Sequence, residues 1–135
     1  MRKISGSVFI WTIGAFFVGG GVYHFVNPQP YIAMMPPYLP WPATLVAVSG
    51  IAEVAGGVGV LISSVRLLAA WGLIVLLLSV FPANLHVALH GWPDVSLPRW
   101  VLWLRLPLQP VFIWFIYRFC IAKSQPPSFS DDHAA

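Results

Sequence analysis

The chain has 135 residues, of which 59% are hydrophobic and only 8% charged, with a formal net charge of +3. That charged share is about a third of a soluble domain's. The basic residues are scattered at segment ends instead of gathered in a stripe, which excludes a nucleic-acid partner. The single cysteine, Cys120, excludes an intramolecular disulfide and a CxxC redox pair, and reads as a small apolar filler.

Long uncharged apolar runs set the class: an all-α integral membrane protein, a bundle of four helices embedded in a lipid bilayer. Spans are expected at about 4–26, 43–63, 67–89 and 99–121. Each has roughly the twenty residues needed to cross at about 1.5 Å per residue. Residues 1–123 then form one four-span membrane domain, with the polar tail 124–135 disordered. Open strands are excluded because their edge groups go unsatisfied in lipid.

The first span opens with Arg2 and Lys3 and runs apolar to Val26. It is longer than a signal peptide's core and ends in bulky residues, so it reads as a retained span. His24 shares a side with Phe17, Gly20 and Gly21 and is expected to face inward. The connection that follows, VNPQPYIAMMPPYLPWP, holds six of the thirteen prolines. Proline fixes φ and restricts its predecessor, so no continuous helix is expected there. Tyr31, Tyr38 and Trp41 suit the membrane interface. The connection reads as a stiff interfacial segment, with a lid over the end of the bundle as the alternative.

The second span carries Glu53 in its middle. An ionisable side chain in hydrocarbon costs at least a few kcal/mol and marks a functional site by default. Ser49, Gly50, Gly56 and Gly57 share its face, a strip of small residues where another backbone can approach. A very short turn near Ser64–Arg66 makes spans two and three an antiparallel hairpin.

The third span brings Asn84, His86 and His90 near its end, with Pro82 freeing the carbonyl of Leu78. His86 and His90 share a face and are weak metal candidates, with His24 needed as a third ligand; no metal is expected. Gly91, Pro93 and Pro98 break the chain before span four. That span carries Arg105 and Gln109, four apart on one face, within RLPLQP. Pro107 and Pro110 free the carbonyls of Trp103 and Leu106.

Arg2, Lys3, Arg66, Arg118 and Lys123 fall on one side, which the positive-inside rule makes cytoplasmic, with both termini. The proline-rich loop then lies outside. Glu53 is about 15 Å below that surface. His24, Glu53, Asn84, Arg105 and Gln109 therefore converge in the outer half of the bundle. Glu53 and Arg105 are the opposite-charge candidates there, either locking the helices or lining a cavity. Burial and any nearby cation oppose each other in setting the protonation of Glu53. The tryptophans read as anchors at the two interfaces, with Trp41, Trp92 and Trp100 outside and Trp11, Trp71 and Trp114 nearer the inside.

The order HFVNP, PPYLPWP, SGIAEVAGG, FPANLHVALH and RLPLQP, over about residues 8–120, resembles the DoxX-like family of small bacterial membrane proteins. The resemblance implies a multi-pass protein of the bacterial inner (plasma) membrane. It also implies a place as the membrane subunit of a thiosulfate:quinone oxidoreductase, or as partner of a soluble redox or detoxification enzyme. Its polar set here is His24, Glu53, Asn84, Arg105 and Gln109. The chain lacks the paired cysteines of some related redox membrane proteins.

Three readings follow. The first is a subunit that binds quinone or another small lipophile for a redox system, with an oxidoreductase as partner. A quinone carbonyl needs a hydrogen-bond donor in an apolar slot and a group that exchanges protons. The second is a non-catalytic scaffold that docks another enzyme. The third is a proton-coupled transporter, for which four short helices give little room unless the chain forms a homo-oligomer.

Overall fold

The computed structural model describes residues 2–123, with side chains described from residue 6. The tail expected to be disordered, 124–135, lies outside the described residues. Among the described residues all regular structure is helical: α1 (Arg2–Val26), α2 (Gln29–Ala33), α3 (Pro42–Leu61), α4 (Arg66–His90) and α5 (Arg99–Ile116), closed by a π-helical turn, Tyr117–Ile121. Four stretches are long and apolar enough to cross a membrane: Gly6–Val26, Pro42–Leu61, Arg66–His90 and Arg99–Ile121, with mean hydropathy from 1.3 to 2.0. They overlap the four expected spans, and their ends differ by a residue or two.

Proline sets several boundaries. Pro42 opens α3, where its missing N–H is no loss, and Pro98 stands just before α5. Pro82, Pro107 and Pro110 lie inside continuous helices. The proline-rich connection contributes only the five-residue α2, whose start contains Pro30.

The long helices pack antiparallel in the order α1–α3–α4–α5. The α1–α3 contact is the most intimate, and glycine makes it so. Gly14 faces Gly57, and Gly21 faces Gly50. A Cβ built on Gly21 would come within 2.6 Å of the Gly50 carbonyl oxygen, and one on Gly57 within 2.8 Å of that of Gly14. Real side chains do not tolerate such distances, so close backbone approach requires glycine at these sites. The strip expected on the Glu53 face is therefore divided: Gly50 and Gly57 receive α1, while Gly56 receives Leu73 of α4.

Residues 62–65 turn the chain from α3 into α4. Arg66 then folds back and donates from Nε to the Val60 carbonyl at 2.7 Å. This satisfies one of the carbonyls that a helix C-terminus leaves open. Around this end lies an apolar cluster of Ile13, Phe17, Val60, Leu73, Ile74, Ile116 and Ile121, with Cys120 buried among them. A smaller cluster of Met34, Ala83, Val87 and Leu102 lies toward the proline-rich end. Rings join α1 to α5 and its π-helical turn: Phe16 lies on Phe112 of α5 at 4.8 Å and Phe9 on Phe119 of the turn at 4.2 Å between centroids. Between the two clusters the bundle is not filled.

Candidate functional site

A cavity of about 650 Å³ occupies that level. Its walls are mostly apolar, from Phe16 and Phe17 of α1, Leu45 and Val46 of α3, Leu76 and Leu77 of α4, and Leu108 and Phe112 of α5. Residues Tyr31, Met34, Met35 and Leu39 of the proline-rich connection close one end. His24, Glu53, Asn84, Arg105 and Gln109, contributed by four separate helices, all line it.

The hydrogen bonds divide these five residues into two groups. Asn84 and Gln109 bond to each other: Asn84 Nδ2 donates to Gln109 Oε1 at 3.1 Å. Gln109 Nε2 in turn donates to the Leu77 carbonyl. The amide acceptor and one donor are spent on tying α5 to α4. The carbonyl used is that of Leu77, one residue before the Leu78 carbonyl that Pro82 frees.

His24 is fixed on one edge only. Its Nδ1 lies 3.3 Å from the Val46 carbonyl and 3.1 Å from Ser49 Oγ. Ser49 Oγ donates its hydrogen to the same carbonyl at 3.0 Å. A carbonyl only accepts, so the contact with Val46 is a hydrogen bond when Nδ1 carries the proton. In the neutral ring Nε2 is then the acceptor, and it stands 3.9 Å from Glu53 Oε1. That is too long for a direct hydrogen bond. One proton on either group leaves the pair neutral as a whole. Gly20 makes room for the carboxylate, since a Cβ there would stand 3.0 Å from Glu53 Oε2.

The candidate pair Glu53–Arg105 is not formed: among the described residues the ionic neighbour of Glu53 is His24. The Arg105 guanidinium instead lies over the Trp92 ring, 4.8 Å from its centroid. Its Nη1 is buried with no hydrogen-bond partner. Helix α5 packs on α4, whereas Glu53 is on the side of α3 turned to α1, so the two charges belong to opposite walls.

Of two aromatic residues expected to be interfacial, Tyr31 lines the cavity and Trp92 packs on its Arg105. Tyr31 lies against His24, with ring centroids 3.9 Å apart. Burial raises its phenol above the ordinary value of 10.0. The Glu53 charge adds to this, and the Arg105 charge opposes it. Both charges thus act on one hydroxyl. Trp92 Nε1 donates to the Pro30 carbonyl at 2.7 Å, which ties α2 to the α4–α5 connection. The signal for both was proximity in sequence to His24 and to the span-three break; aromatic composition alone does not separate them from an interface belt.

His86 and His90 stack on each other, 4.4 Å between centroids, and His90 is exposed. His24 lies in the cavity instead, and among the described residues no three metal-ligating side chains gather.

A family described as a domain of unknown function, DUF8561, matches residues 13–120, a stretch that contains every residue of the cavity wall named above. No curated protein and no solved structure matches the chain.

Proposed function

We propose that this chain, which belongs to the DUF8561 family, is an integral membrane protein that binds quinone or a similar small lipophile as the membrane subunit of a redox system. The observation that carries the reading is the cavity with its unspent polar groups. Its volume is within the roughly 300–1,000 Å³ of small-molecule sites, which combine apolar walls with a few convergent polar atoms. Arg105 Nη1 supplies a donor, and the His24–Glu53 pair supplies an exchangeable proton.

The surface supports the membrane setting. Trp11, Leu68, Val75 and Trp114 are 56–76% exposed on four long apolar helices, a surface that a monomer in water does not sustain. Positive charge at Arg66, Arg118 and Lys123 supports an orientation with the α3–α4 turn and both termini on the cytoplasmic side of a bacterial inner membrane and the proline-rich connection outside. The DoxX-like resemblance supplies the redox context and an oxidoreductase as partner; the family match adds no activity of its own.

The scaffold reading keeps one specific support, the Asn84–Gln109–Leu77 tie, whose atoms are spent on packing. It accounts for Arg105 stacked on Trp92 but leaves Nη1 without a hydrogen-bond partner. Titration of the purified protein with ubiquinone and menaquinone analogues separates the two. Saturable binding, weakened by Glu53→Gln and by Arg105→Leu, supports the lipophile site. Absent binding, or binding unchanged by both substitutions, favours the scaffold.

A further inference from the structure

Among the described residues, polar atoms of the cavity that are not spent on helix packing include groups on two walls. Arg105 Nη1 is on α5, and the His24–Glu53 pair is on α1 and α3. Helix α3 packs on α1 and α4, and α5 packs on α4, so α3 and α5 face each other across the cavity. Tyr31 is above both, on α2. The remaining, mostly aliphatic lining includes three phenylalanines, with Phe16 stacked on Phe112 and Phe17 edge-on to Phe16. Flat aromatic surfaces of this kind favour a planar partner.

Resting on the lipophile reading, we propose that the cavity selects a head with two oxygens on opposite edges of a planar ring. One oxygen accepts a hydrogen bond from Arg105 on α5. The other meets the His24–Glu53 pair on α1 and α3. Tyr31 closes over the ring from α2. A head with one oxygen satisfies a single wall and leaves the other bare, and a buried polar group without a partner costs binding free energy. A cationic head is disfavoured at the Arg105 wall, where it would face the guanidinium in a medium of low dielectric. The one proton of the His24–Glu53 pair can be donated to a carbonyl oxygen or stay on Glu53 while His24 Nε2 accepts from a hydroxyl. Carbonyl and hydroxyl forms of the same head therefore both fit.

The test compares two probes in nanodiscs: a decyl-substituted 1,4-benzoquinone, with opposed oxygens, and 4-decylphenol, with one. Wild type, Arg105→Leu and Glu53→Leu are titrated with each, and thermal melting reports folding. The quinone is expected to bind wild type at least about tenfold more tightly than the phenol. It is expected to lose about tenfold or more in each variant, the cost of one hydrogen bond to a charged group. The phenol is expected to respond to only one of the two substitutions. Failure of both probes to bind wild type overturns the lipophile reading and this inference with it. Equal affinity of wild type for the two probes overturns the two-wall head alone, and this comparison needs no variant to fold. Equal losses for both probes in both variants overturn it as well.

Discussion

His24 Nε2 stands 3.9 Å from Glu53 Oε1 while the other edge of the same ring is held by Ser49 and the Val46 carbonyl. A proton on Nδ1 satisfies the Val46 carbonyl and turns Nε2, as an acceptor, toward the carboxyl group. This can be read in solution. Nitrogen-15 spectra of labelled histidine are expected to show His24 protonated on Nδ1, identified by its loss in His24→Gln. A neutral ring protonated on Nε2 would contradict the arrangement.

The α1–α3 contact gives a contrast among neighbouring glycines. A Cβ at Gly21 meets the Gly50 carbonyl oxygen at 2.6 Å, whereas one at Gly19 meets nothing within 4 Å. Gly21→Ala is expected to lower stability in detergent by about 1–3 kcal/mol, through forced separation of the helices. Gly19→Ala is expected to be neutral or to gain up to about 1 kcal/mol from helix propensity. Thermal or denaturant unfolding of the two variants side by side decides it, and equal losses would refute the packing argument.

Asn84 and Gln109 lie on helices α4 and α5 and share one hydrogen bond. A double-mutant cycle with Asn84→Ala and Gln109→Ala is expected to show a coupling of about 0.6 kcal/mol and at most about 1.7 kcal/mol, the range for such bonds within membranes. A coupling of zero would mean that the two amides act independently.

The Tyr31 phenol has a folded-state pKa raised above 10.0, chiefly by burial. The neutral form is thus the one that folding favours. Its contribution is fully present below the unfolded value near 10 and is lost as pH rises through the higher folded value. Between about pH 6 and about pH 9 the stability difference between wild type and Tyr31→Phe is therefore expected to be flat. Above about pH 10 wild type is expected to weaken relative to the variant. Unfolding of both proteins across that range checks the sign. A decline of wild type relative to the variant at neutral pH would contradict it.

The helices were legible because each is an uncharged run long enough to cross a bilayer, and composition alone displays that. The polar set was legible for the converse reason: a charge or amide in such a run stands out, and the boundaries gave its depth. Partner assignment was not. Glu53 and Arg105 share a depth, but whether they meet depends on how each helix is rotated about its axis, which side-chain spacing leaves open when almost every face is apolar. The answer came from close packing: Gly21 against Gly50 turns the Glu53 face to α1, toward His24 and away from α5. Tyr31 and Trp92 were hidden differently. They meet the site because α2 folds back over the bundle and Pro30 accepts from the indole, a contact between residues far apart in the chain. Gly14, its packing role absent from the sequence reading, differs from Gly19 only in what it faces.

We propose that the cavity between the two apolar clusters holds a lipophile on Arg105 and the His24–Glu53 pair. A density map of the protein in nanodiscs loaded with a decyl-substituted 1,4-benzoquinone tests it most directly. Ring density is expected beneath Tyr31, with one oxygen within hydrogen-bond distance of Arg105 Nη1 and the other beside His24 Nε2 and Glu53. Density for the quinone only at the lipid-facing surface, with the cavity empty or closed by inward collapse of its walls, would contradict it.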